Sequence, residues 1–149
     1  MSILVQKKAK RFNILDDLVK IQELAGLNFH GFQLNLVWPE INVLKEYRMR
    51  FGFSYYIVLQ IGKKALEVVG GSPQGIVDKL SLYASFINGI LFDLSGGLGK
   101  PLDIERTKDF LFAIKNSGFN LGIGVAGGLG PQSLHLVRPL LYLFHFESI

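Results

Sequence analysis

The sequence predicts an α/β fold in which parallel strands alternate with helices, and three observations point to it. Short apolar runs of strand length recur between amphipathic segments of helix length along all 149 residues. Alternation at this spacing implies parallel strands joined by helical crossovers. Most of the seventeen glycines fall at the joints between these segments, where strand-to-helix turns are tight. The chain is 49% hydrophobic, 19% charged and carries twelve phenylalanines, a composition that buries an aromatic core and excludes disorder. No linker or shift of composition divides it, so one domain is expected over residues 1–149.

Ile3–Gln6 opens the pattern as a short apolar run. Asn13 then caps a helix with an apolar face of Ile14, Leu15, Leu18, Ile21, Leu24 and Ala25, ended by Gly26. Phe32–Val37 reads as a strand, and Pro39 starts a helix bearing Ile41, Leu44 and Tyr47 that stops at Gly52. Tyr55–Ile61 is rich in β-branched and aromatic residues and reads as a strand. A helical turn fits Lys63–Val69. Ser72 and Pro73 then supply the N-cap and first position of a helix presenting Ile76, Val77, Leu80, Tyr83 and Ile87. Strand Ile90–Asp93 leads into the glycine-rich Ser95–Lys100, and Asp103 caps a helix bearing Ile104, Phe110, Leu111 and Ile114 that ends at Gly118. Strand Leu121–Ala126 runs into Gly127–Gly130, where Pro131 is expected to open another helix, and Tyr142–Phe146 is a sixth apolar run. Both a doubly wound open sheet and a (β/α) barrel satisfy this pattern.

The chain has no cysteine, which excludes a disulfide framework, a thiolate metal site and a cysteine nucleophile. It also fits a reducing, cytoplasmic setting. No run of about 18 apolar residues exists, so no membrane span is expected. His30 and His135 have no carboxylate or second histidine at ligand spacing, and no metal or cofactor is expected. The net charge of +4 is concentrated in Lys7, Lys8, Lys10 and Arg11. Without interleaved aromatic residues or a basic stripe, that cluster reads as a solvated segment, and nucleic acid is not an expected partner.

Alternation within the strands separates two faces. Phe32, Leu34, Ile57, Leu59, Ile61, Ile90 and Phe92 lie on one; Gln33, Asn35, Gln60 and Asp93 lie on the other. Asn35, Gln60 and Asp93 stand near the C-terminal ends of their strands, with His145 in a similar place on the last run. Polar side chains converging from several strand ends are where a barrel keeps its chemistry. Two glycine loops follow strands at the same end. Ser95–Lys100 lacks the spacing of a Walker loop, and Gly127-Gly128-Leu129-Gly130 lacks that of a dinucleotide fingerprint. Gly96, Gly97, Gly127, Gly128 and the backbone of Leu129 are therefore candidates for close backbone approach to a phosphate, aided by the helix expected at Pro131.

Together these residues resemble the phosphoribosylanthranilate isomerase family, barrel enzymes of tryptophan biosynthesis. Ile90-Leu91-Phe92-Asp93 with Gly96-Gly97-Leu98-Gly99-Lys100 and Asp103 is similar to the family's sixth strand and its loop. Gly127-Gly128-Leu129 with Pro131 and Val137-Arg138-Pro139 is similar to its seventh, and Phe32-Gln33-Leu34-Asn35 to its fourth. The resemblance implies a TIM-type (β/α) barrel of parallel, sequential strands, covered from the third strand to the eighth and so truncated to about six. It implies aldose–ketose isomerisation of a small phosphorylated sugar, with Asp93 as general acid and Asn35 and Gln60 as substrate contacts. The family's fourth-strand histidine, fifth-strand lysine and first-strand cysteine are here Asn35, Gln60 and absent. A phosphate-binding homologue without catalysis is the alternative. Six strands cannot close an eight-stranded barrel. A homodimer, or a complementing chain, is accordingly expected to cover the edges at Ile3–Gln6 and Tyr142–Phe146.

Overall fold

Runs rich in Ile, Leu, Val and Phe, buried by helices on one side, give the five strands of the structure. The computed structural model describes residues 2–6, 13–94 and 103–140. Its strands are β1 (Ser2–Gln6), β2 (Gly31–Asn35), β3 (Tyr56–Gly62), β4 (Gly89–Asp93) and β5 (Gly122–Ala126). Among the described residues they form one sheet, every neighbouring pair parallel, in the order β1-β2-β3-β4-β5. A doubly wound sheet reverses its order at a switch point, and this one does not. The sixth run, Tyr142–Phe146, and the basic cluster Lys7–Arg11 lie outside the described residues.

The crossovers are α1 (Ile14–Ala25), α2 (Ile41–Phe51), α3 (Lys63–Val68) with α4 (Pro73–Ser81), and α5 (Ile104–Asn116). Crossovers between successive parallel strands are right-handed as a rule, which places helices joined in this order on one face. The core confirms the arrangement: Leu18 of α1, Leu44 and Tyr47 of α2, Leu66 of α3, Leu80 of α4 and Phe110 of α5 share one buried cluster with the strand residues Phe32, Leu34, Ile57, Leu59, Ile61, Ile90 and Phe92. Phe32 meets Tyr47 edge-on at 5.6 Å between centroids, and Phe92 meets Phe110 at 5.3 Å. Those strand residues are the face expected from alternation. A Cβ at Gly31 would lie 2.1 Å from the Tyr56 carbonyl oxygen, so glycine is what lets β2 lie beside β3 there.

Local signals account for most boundaries. The Gly75 N–H donates to Ser72 Oγ (3.1 Å) at the start of α4, and the Arg106 N–H donates to Asp103 Oδ1 (3.1 Å) at the start of α5. Four expectations need correction. Leu24 is 87% exposed instead of buried; at about 100° per residue it stands roughly 120° around α1 from the buried Leu18. The helix expected from Pro39 begins at Ile41 with Glu40 as N-cap. Tyr83 and Ile87 are buried, but beyond the end of α4, in the turns that lead to β4. Finally, Pro131 opens a turn, not a helix, followed by a 3₁₀ segment at Leu134–Val137. Ser133 is the reason. Its Oγ accepts the Gly130 N–H (2.9 Å) and donates to the Gly128 carbonyl (2.7 Å), bonds that compete with helix initiation.

Candidate functional site at the C-terminal ends of the strands

The face of the sheet away from the helices carries the polar strand residues. Register decides which of them meet. Gln33 stands directly opposite Val58, and Gln60 directly opposite Leu91. Gln60 and Asp93 are therefore each two residues further along the neighbouring strand than the direct partner. Such diagonal positions are about 7–8 Å apart at Cα, within reach of long side chains. The glutamines span them. Gln33 Nε2 donates to Gln60 Oε1 at 2.9 Å, and Gln60 Nε2 donates to Asp93 Oδ2 at 3.0 Å. The result is a hydrogen-bonded ladder that climbs across β2, β3 and β4 toward their C-terminal ends. Gln60, its middle rung, is 8% exposed, while Gln33 and Asp93 are half-buried.

The structure thus brings together two of the expected site residues, Gln60 and Asp93. Asn35 is half-buried at the end of β2 but is not a rung. It continues the Leu34–Leu59 register opposite Gln60, with a side chain one methylene shorter than that of Gln33. Gln33 takes that place. Its position on the polar face was visible in the alternation; its bond to β3 depends on register, which alternation does not give.

Beyond the ladder, Asp93 pairs in register with Ala126, and two residues further along β5's line lies Gly128. Gly127 and Gly128 have φ of 109° and 61°, backbone positions that side chains strain to adopt. The loop therefore turns where expected, at the end toward which the ladder climbs. The Leu129 side chain packs on the small cluster of Leu111 and Leu140. The helix start that was to assist anion binding is replaced by the Ser133 turn. Gly96 and Gly97, like Lys100 and His145, lie outside the described residues.

Two further features mark this end. Trp38, in the β2–α2 connection, has a φ of 48°, a conformation that costs about 1–3 kcal/mol and persists only where its surroundings enforce it. They do. Its indole N–H donates to the Ala65 carbonyl (2.8 Å), its ring lies 5.4 Å from that of Tyr83, and the Tyr83 hydroxyl donates to the Pro39 carbonyl (2.7 Å). On the helix side, a crevice of about 170 Å³ is lined by Lys63, Leu66, Glu67, Gly71, Leu94 and Arg106. Among the described residues, no group of three or more His, Asp or Glu side chains is placed to hold a metal ion. No helix there is long and apolar enough to cross a membrane.

No family model matches the chain, and neither the curated proteins nor the solved structures contain a match to it.

Proposed function

We propose that the chain is part of a TIM-type (β/α) barrel, similar to phosphoribosylanthranilate isomerase, that binds a small phosphorylated sugar across the C-terminal ends of its strands. The observation that carries this reading is the Gln33–Gln60–Asp93 ladder. Polar groups from three consecutive strands converge on the face opposite the helices, at the end where barrels bind their substrates. The sequential parallel order of the strands is the order of a barrel wall. The phosphate belongs at the Gly127–Gly128 turn, toward which the ladder leads, and Lys63 and Arg106 add positive charge at the same end. Six strands, with Tyr142–Phe146 as the last, and closure by a second copy or a complementing chain are part of the same proposal.

In the catalytic form of the reading, Asp93 delivers a proton to the ring oxygen of an aldose phosphate. The ring C–O bond breaks as the C1 hydroxyl gives up its proton, leaving an open-chain aldehyde. A base then moves the C2 proton to C1 while the C2 hydroxyl proton passes to the C1 oxygen, giving the ketose. Asp93→Asn is then expected to lower turnover by about 10²–10⁴ while leaving sugar-phosphate affinity nearly intact. An active protein indifferent to that change removes Asp93 from the mechanism. A binding role without catalysis has its own support. The two other rungs are amides, which make hydrogen bonds but do not exchange protons.

A further inference from the structure

The ladder has a direction, and the direction has a consequence for the ligand. The hydrogen bonds set that direction: Asp93 Oδ2 accepts, and Gln60 presents its NH₂ group to it. The Gln60 carbonyl oxygen is thereby turned toward β2, where it accepts from the Gln33 NH₂ group. Gln33 in turn has its carbonyl oxygen directed away from Gln60. The orientation of both amides thus follows from one end, from a carboxyl oxygen two strands away from Gln33. Gln60 is closed off at 8% exposure, whereas the rungs on either side of it remain half-buried.

We infer that Gln33 is a specificity-determining contact that accepts a hydrogen bond from a sugar hydroxyl, with its carbonyl oriented through Gln60 by Asp93. This rests on the sugar-phosphate reading above and goes beyond it in naming the residue and the group it recognises. The ligand class is a polyhydroxylated chain or ring that donates at the β2 end of the strip. Gln60 is a positioning residue, since it acts through its neighbours.

The test uses the full chain, with ribose 5-phosphate, 2-deoxyribose 5-phosphate and inorganic phosphate as calorimetric probes. Wild-type protein should bind ribose 5-phosphate, and Gln33→Leu should weaken it about fivefold to tenfold, the effect of losing one hydrogen bond. Inorganic phosphate should bind both proteins equally. Gln60→Leu should weaken ribose 5-phosphate similarly although it buries away from the ligand, and it should narrow the gap between the ribose and deoxyribose compounds. A purely structural role for Gln60 would change stability without changing that gap. If Gln33→Leu binds ribose 5-phosphate as wild type does while Asp93→Asn alters its binding or turnover, the inference fails and the sugar-phosphate reading stands. If the wild-type chain binds neither sugar phosphate, both fail. Unchanged circular dichroism in each variant shows that the fold is retained.

Discussion

The two ends of the sheet handle buried polarity in opposite ways. At the N-terminal ends of the strands sits Arg48, only 7% exposed and, among the described residues, with no carboxylate as a hydrogen-bond partner. Its Nε donates to the Phe86 carbonyl (2.8 Å), its Nη1 to the carbonyls of Gly52 (3.0 Å) and Tyr55 (2.8 Å), and its Nη2 to Asn88 Oδ1 (2.6 Å). The Phe53 ring lies 4.3 Å beneath the guanidinium. Asn88 Oδ1 also accepts the Ile57 N–H, so the loops that lead into β3 and β4 are tied at one point. Every contact there is to the chain's own backbone or to a residue whose role is closure. At the C-terminal ends the corresponding polarity is a strip of side chains with two half-buried rungs, and the same end carries the strained Trp38 and a glycine turn. One end is finished internally. The other is left with polar groups positioned and partly open.

The comparison breaks most readily at Arg48. Arg48→Met leaves three carbonyls at the strand entrances without their donor and Asn88 Oδ1 with one donor fewer, and should cost about 3–5 kcal/mol, read as a lower urea midpoint. A loss below about 1 kcal/mol would mean that the N-terminal end is not the anchored one.

A somewhat smaller effect involves its neighbour. Tyr47 is fully buried, and its hydroxyl donates to Gln22 Oε1. Burial pushes the phenol up to about 12, against the pull of the Arg48 charge. The folded protein therefore keeps a proton that the unfolded chain releases near the ordinary value of 10.0. The stabilisation is complete below that value and is lost as pH rises from there through about 12. Urea titrations across this range should show wild type losing about 2–3 kcal/mol more than Tyr47→Phe. Parallel curves would show that the phenol ionises without unfolding this region.

The smallest expected change is a gain, at the open end. Thr107, in the first turn of α5, is fully buried, and among the described residues its Oγ1 has no hydrogen-bond partner. Thr107→Val keeps the shape and removes an unsatisfied hydroxyl, so it should raise stability by about 1 kcal/mol in thermal unfolding. A loss instead would show that the hydroxyl is in use.

How much of this was legible depended on what each feature requires. Strand identity and facing need only alternation, and Ile57, Leu59 and Ile61 against Val58 and Gln60 fell as the period of two demands. The caps at Ser72 and Asp103 need only a residue type at a boundary. The ladder needs register, so Gln60 and Asp93 could be singled out from their strand ends while Gln33 could not be preferred to Asn35. Arg48 was missed although a signal existed: it stands four residues after Leu44 and three before Phe51, on the buried stripe of α2, where a charged residue must find partners. The turn at Pro131 was misread because Ser133, two residues on, decides it. Proline fixes its own φ but does not prevent a nearby hydroxyl from capturing the backbone.

Trp38 is the chain's single tryptophan, which makes the fluorescence of the protein a local signal instead of an average. The indole is fixed by Ala65 and Tyr83 in the connection that leaves β2, far along the sheet from Arg48. Red-edge excitation therefore reports the strand-exit end alone, while far-ultraviolet ellipticity reports helices distributed over the whole chain. If the two traces separate during unfolding, the interval between them measures how much sooner the open end loosens than the tied one. If they coincide, the ladder and the Arg48 clamp belong to one cooperative unit.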